Sequence, residues 1–157
     1  MRPPAHEEPR RARDAARLAA RQVPLDAGGV RAGTDVTIVA TSSMVTVALA
    51  AATMLQEIGI SAEVIDPRTL RPLDLDTILE SVKKTNRCVI VDEDYGYCGM
   101  GAGILQQIQK PAFDYLDAPI EYVHSDEIPV PFSHYLEEAM MPSVDQIVRA
   151  VKEVCYR

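Results

Sequence analysis

From Thr34 onward, short apolar runs alternate with stretches whose apolar residues recur every three or four positions, as in a parallel sheet with crossover helices. Four runs read as strands, at 36–40, 62–65, 88–91 and 120–123. The third is continuously apolar between Arg87 and Asp92, as suits a strand covered on both faces, and it is placed centrally. Val45, Ala48, Leu49 and Ala52 share one helical face, with Ser42 or Ser43 set to cap its start and Gly59 to end it. Leu75, Ile78, Leu79 and Val82 repeat that spacing after an Asp74 cap. Val144, Ile147, Val148 and Val151 do so after Pro142, where Ser143 and Gln146 form a capping-box pair. A further crossover helix is expected over 99–109, stopped by Pro111 and followed by a short helical stretch at Phe113 and Leu116. The predicted fold class is α/β: three α/β/α layers on a mostly parallel twisted sheet, with room for a reversed fourth or fifth strand.

A chain of 157 residues, 47% hydrophobic and 25% charged, suits one domain with a real core. Sixteen Lys and Arg against 23 Asp and Glu, a net charge of -7, argue against nucleic acid as a partner. No apolar run approaches the ~20 residues that cross a bilayer, and none near Met1 reads as a secretory signal, so a soluble intracellular protein without membrane partners is expected. Cys88, Cys98 and Cys155 are odd in number and widely spaced, which predicts reduced thiols and no metal site. The charge changes sign near Arg31: seven basic and four acidic groups precede the break, nine and nineteen follow it. Residues 1–31 are therefore expected to be a disordered leader, tag or linker remnant, and 32–157 the folded domain.

In open α/β sheets ligands sit beyond the carboxyl ends of the strands, so the strand-exit loops are the places to look for chemistry. Ser42 and Ser43 at the first exit offer hydroxyls at a helix start, where an anion or a simple cap would fit. Asp66, Arg68, Arg71 and Pro72 form a stiff loop with a basic pair, useful at an interface or paired with its own aspartates. The third exit joins Asp92, Glu93 and Asp94 to Gly99, Gly101 and Gly103. Its acids could act as acid and base or hold a cation, and its glycines could admit a phosphate or simply a tight turn. The glycine spacing is not a dinucleotide fingerprint, no Walker lysine follows, and His6, His124 and His134 complete no hydrolytic triad.

Several ordered motifs carry a family resemblance over 33–152. They are Gly33 to Val39, Met44-Val45, the loop Glu63 to Asp74, Ser81 to Thr85, Val89 to Val91 with Glu93, Gly99 to Ala102, and Ala112-Phe113-Asp114-Tyr115-Leu116-Asp117-Ala118-Pro119-Ile120. The sequence resembles the C-terminal transketolase-like domain of the beta subunit of thiamine-diphosphate-dependent 2-oxo acid dehydrogenases of the pyruvate, branched-chain and acetoin type. Gly103 stands where that family often carries glutamate. The resemblance implies a part of an oxidoreductase whose thiamine diphosphate and magnesium are held elsewhere, with no catalytic, cofactor or metal residue in this chain. It implies as partners an alpha subunit, a second beta subunit and the peripheral subunit-binding domain of a dihydrolipoyl acyltransferase. Asp66, Arg68, Arg71, Pro72, Glu93, Gly99, Gly101, Phe113, Tyr115, Asp117 and Pro119 are then interface or structural positions. Bacterial cytoplasm or mitochondrial matrix is the implied location. A free-standing anion- or nucleotide-binding module, using Ser42, Ser43 and the Gly99 to Gly103 turn, is the competing expectation.

Overall fold

The structure is a computed structural model that describes residues 29–157, so all but the last three residues of the expected leader lie outside the described residues. In chain order the elements are β1 (Gly29–Arg31), β2 (Val36–Ala40), α1 (Met44–Glu57), β3 (Ala62–Ile65), α2 (Leu75–Thr85), β4 (Cys88–Tyr95), α3 (Met100–Ala112), a 3-10 turn (Phe113–Tyr115), β5 (Glu121–Ser125), α4 (His134–Met140) and α5 (Val144–Val154). The strands lie in the order β1-β3-β2-β4-β5. All neighbours are parallel except β1, which pairs antiparallel with β3 at the edge. The reversed strand is thus a fifth one, and it starts three residues upstream of the boundary drawn at the change of charge.

Three layers follow from which apolar stripe each helix buries. Ala48, Ala51, Ala52 and Leu55 of α1 and Ile147, Val151 and Val154 of α5 pack on Val36, Ile38, Val64, Val89 and Val91. On the opposite face Ile78 and Val82 of α2 and Ile104 and Ile108 of α3 pack on Val39, Ile65 and Ile90. Alternate strand residues feed the two cores, which is why β4 opens on an unbroken apolar run and β2 is interrupted only by Thr37, whose buried hydroxyl bonds those of Ser81 and Thr85. The middle position belongs to β2, with β4 beside it as a second interior strand.

Several boundaries differ from the sequence reading. Strand β4 continues four residues past its apolar run, through the acids to Tyr95. Helix α3 runs through Pro111 instead of stopping before it, ending on Ala112, which is buried in the core with Ile104 and Ile108. Helix α1 has Ser43 at its N-cap without a side-chain capping bond. Its C-terminus closes on Gly59, φ +78°, with Ile60 N donating to Leu55 O at 2.9 Å and Gly59 N to Gln56 O at 3.0 Å. Asp74 caps α2, accepting from Thr77 N at 3.0 Å. The capping box of α5 is complete: Ser143 N donates to Gln146 Oε1 at 2.7 Å, and Gln146 N to Ser143 Oγ at 3.3 Å. Ser143→Ala is expected to cost about 1 kcal/mol, read as a lower urea midpoint at unchanged slope. An unchanged midpoint would show that the cap is idle.

Candidate functional site

The chain steps outward from β2 in both directions, to β3 on one side and β4 on the other, so the gap between the carboxyl ends of β2 and β4 is the fold's switch point. Asp92 occupies it, 1% exposed. Its Oδ1 accepts from Thr41 Oγ1 at 2.9 Å, just beyond β2, and its Oδ2 accepts from Gly101 N at 2.7 Å, in the first turn of α3. Tyr122 on β5 brings its hydroxyl to 3.5 Å from the same Oδ2. One carboxylate therefore ties β2, β4, β5 and the positive end of α3 together, in the seat where a phosphate would otherwise lie. Burial, the charges of Asp92 and Asp94, and the bond to Asp92 push the Tyr122 phenol up to about 12, so it stays a donor at neutral pH.

Gly101 has no side chain for a steric reason on this chain. A Cβ there would sit 2.4 Å from Cε2 of the Tyr122 ring. The glycine lets the ring lie against the helix start and leaves the amide aimed at Asp92. Gly99 is equally confined, with a Cβ falling 2.0 Å from Tyr95 O. Both glycines are thus required by close packing within the turn itself.

Glu93 and Asp94 are consecutive residues of β4, in a stretch where its register against β5 shifts between Val91 and Tyr95, and they take different partners. Glu93 accepts from the Ser43 hydroxyl, whereas Asp94 accepts from Tyr95 N at 2.9 Å. They do not converge as an acid and base pair. Ser43 is spent on Glu93, and Ser42 takes a left-handed turn, φ 51°, at the mouth of a neighbouring cleft. That cleft, about 380 Å³, is walled by Thr41, Asp66, Pro67, Leu70 and Met100 as well as Arg68. Arg68 folds back on Asp66, its N donating to Oδ1 at 2.9 Å and its Nε lying 3.8 Å from Oδ2. Pairing within the loop was the plainer of the two expectations for Arg68. Arg71 is exposed and precedes Pro72 through a cis peptide bond, and the Pro72 carbonyl accepts from Thr69 Oγ1 at 2.8 Å.

The remaining predicted positions gather elsewhere, at the amino end of β5. Asn86 Nδ2 donates to Tyr115 O at 2.6 Å, and Lys83 lies 5.0 Å from the Tyr115 ring centre. Arg87 pairs with Asp117 at 3.2 Å, and the Tyr156 hydroxyl donates to Asp117 O at 3.0 Å. These bonds hold the turn while leaving Phe113 and Pro119 exposed. A third surface, at the carboxyl end of β5, exposes Ile128, Val130, Phe132, Tyr135 and Leu136, with Tyr95 Oη anchoring Ile128 O at 2.8 Å. The structure thus sorts the sequence candidates into a closed crevice and two open apolar surfaces. Among the described residues no cluster of three His, Cys, Asp or Glu is arranged to hold a metal, and no helix is long and apolar enough to cross a membrane. The residues whose roles the sequence hid are Thr41 and Tyr122. The available signal was an acid in register at the end of an apolar strand, with a hydroxyl residue ending its neighbour.

Comparison with known proteins gives a consistent result. A family model described as the C-terminal domain of transketolase matches residues 26–147. Over 127 residues the chain is 54% identical to the pyruvate dehydrogenase E1 component subunit beta of Rickettsia felis, covering 81% of this chain and 39% of that protein. It is 50% identical to the mitochondrial pyruvate dehydrogenase E1 component subunit beta-2 of Oryza sativa subsp. japonica, again over 81% of this chain, and 34% of the rice protein. The chain therefore spans a little over a third of the length of these relatives. Among solved structures, a split-gene transketolase in an inactive beta4 tetramer superposes with a TM-score of 0.66 at 28% identity, covering 80% of this chain and 40% of that one. A 2-oxoglutarate:ferredoxin oxidoreductase from Magnetococcus marinus shares the fold at a TM-score of 0.53 and 15% identity, over 81% and 19% of the two chains.

Proposed function

The chain belongs to the family of transketolase C-terminal domains, and from that premise we propose that it is the assembly and docking domain of a pyruvate dehydrogenase E1 beta subunit. In this reading residues 32–157, with the edge strand from Gly29, form the domain, and the parent enzyme oxidatively decarboxylates pyruvate with acyl transfer to lipoyl groups. The names of the relatives favour pyruvate over branched-chain 2-oxo acids and acetoin. They also favour a bacterial cytoplasm or a mitochondrial matrix as the location. The observation that carries the reading is the filled switch point. Where an α/β sheet usually takes its ligand, Asp92 already accepts from the Thr41 hydroxyl and the Gly101 amide. A second carboxylate, Glu93, stands beside it on Ser43. Two acids there, both already hydrogen-bonded to the chain, repel a diphosphate, so these residues do not fit thiamine diphosphate, and in this reading the parent enzyme holds the cofactor and its magnesium elsewhere. The same argument weighs against a free-standing nucleotide-binding module.

What the domain offers instead is exposed apolar surface in more than one place. The segment that carries Phe132 also carries the exposed acids Asp126, Glu127, Glu137 and Glu138, and no Lys or Arg occurs between Lys110 and Arg149. That composition suits a partner with an apolar centre and a basic rim, the chemistry expected of the peripheral subunit-binding domain. The beta4 assembly of the related split-gene transketolase supports contact between copies of the chain as well. Light scattering of the chain mixed with a pyruvate dehydrogenase alpha subunit tests the assembly role, and the expected result is a stable complex. With pyruvate, thiamine diphosphate, magnesium and a dye acceptor the chain alone is expected to show no turnover. Turnover by the chain alone, or failure to bind the alpha subunit, would overturn the reading.

A further inference from the structure

Among the described residues nothing covers the surface at the carboxyl end of β5. Helix α4 buries only Met140, and Ile128, Val130, Phe132, Tyr135 and Leu136 are all exposed. Beside them Tyr95, Tyr97, Glu127 and Pro129 line a hollow of about 330 Å³. Two bonds tie its walls together: the Tyr95 hydroxyl donates to Ile128 O at 2.8 Å, and Tyr97 N donates to Glu127 Oε1 at 3.2 Å. Two phenol rings around one carboxylate suit a guanidinium better than an ammonium, because its flat face stacks on an aromatic ring while its edge pairs with the acid.

An occupant of that chemistry is present in the same chain. Residues 1–28 carry six arginines and no lysine, and Asp14 is the only acid among Arg10, Arg11, Arg13, Arg17 and Arg21. Leu18 and several alanines lie between those arginines, matching the mixed apolar and acidic character of the surface. The reach is sufficient. Gly29 pairs with Ile65, the last residue of β3, and β3 runs parallel to β5 through β2 and β4, so the chain enters β1 at the end of the sheet where β5 leads into the Phe132 segment. Four strand spacings from β1 to β5 amount to ~19 Å, and the eight steps of chain from Arg21 to Gly29 extend ~26 Å. A tether of that length holds the arginines at an effective concentration on the order of 1 mM, ahead of any free chain of the same composition. We propose that residues 10–21 seat on the Phe132 surface of their own chain, with an arginine in the hollow of Tyr95, Tyr97 and Glu127, and shield that surface from a basic partner. The shielding rests on the docking role proposed above for this surface; the contact itself does not.

The chain has no tryptophan, so Leu18→Trp in the full chain supplies a single fluorescent reporter. At low salt its emission is expected to be blue-shifted, with acrylamide quenching several-fold below that of a free indole, and to be the same at every protein concentration. Adding Glu127→Lys and Phe132→Asp should return it to a solvated indole, and thermal melts check that these exposed substitutions leave the fold in place. A solvated reporter in the Leu18→Trp chain, or shielding that survives the two surface substitutions, would overturn the proposal. Shielding that grows with protein concentration would also overturn it, since another copy would then supply the segment. Titration with a tryptophan-free peripheral subunit-binding domain should release the indole and shift its emission to the red. A domain that binds while the indole stays shielded would overturn the shielding. A shielded reporter in a chain that the domain ignores would sink the docking role and leave the contact standing. Binding to a chain whose reporter is solvated from the start would sink the contact alone.

Discussion

Asp92→Ala is expected to lower the stability of the domain by about 4 kcal/mol, one of the two largest effects anticipated here. The carboxylate accepts two short hydrogen bonds in a site with almost no water access, from Thr41 Oγ1 and from Gly101 N. Bonds to a charged acceptor contribute about 1.5–3 kcal/mol each, and removing the acceptor leaves a buried helix-start amide without a partner. For a domain of this length that corresponds to a fall in Tm on the order of 10 °C. Asp92→Asn keeps the shape and one carbonyl acceptor but can turn an NH2 group toward Gly101 N, so it should fall between Ala and wild type. Calorimetric melts at neutral pH measure all three. A Tm for Asp92→Ala within a degree or two of wild type would mean that the bridge contributes nothing, and the argument from a filled switch point would fail with it.

Stability should also fall steeply in alkali. Cys88 opens β4 with its side chain sealed in the core, and burial pushes its thiol up from 9.0 to about 12. Unfolding returns the thiol to water, where it ionises near its ordinary value, so a raised value in the folded state favours the fold only while the thiol is neutral in both. The contribution is complete below about pH 9 and is lost as the pH climbs toward 12, amounting to about 4 kcal/mol over that window. Tyr122, raised from 10.0 to about 12 by burial first and then by Asp92 and Asp94, acts in the same direction. Its ring is partly in solvent, so screening makes its share smaller. Urea midpoints measured from about pH 8 upward should decline for the wild type and decline much less for Cys88→Val, which fills the space without an ionisable group. A wild-type midpoint that stays level through that range would show that Cys88 is not sealed.

The elements were legible because two periodicities coexist without conflict. Val36 and Ile38 on one face of β2 and Val39 on the other are all fully buried, and α5 carries its apolar stripe in eleven residues directly after its Ser143 cap. What escaped the reading was decided by contacts distant in sequence. Gly29–Arg31 has no apolar alternation to announce it; it becomes a strand because β3 offers a free edge, with Arg31 reaching Thr53 Oγ1 at 3.1 Å on α1. Pro111 looked like a stop because local rules bar proline from helix interiors, and the helix runs past it to Ala112, whose burial beside Ile104 and Ile108 is a tertiary contact that the local rule cannot see. At the strand ends, three consecutive acids read as one cluster. The structure separates them into a buried bridge, a partner for Ser43 and a surface residue, where the register of β4 against β5 shifts, and nothing local in the sequence marks that shift. The Phe113 motif was recognised as a string of residues long before its turn could be known to present the ring outward.

A phosphate bound at a helix start stabilises its protein only as far as its concentration exceeds its dissociation constant, and dilution or starvation removes the benefit. Asp92 is bonded through the backbone to the very structure it braces, so no dilution can remove it. The domain's hold on its own shape is therefore indifferent to how much cofactor or metabolite the cell contains.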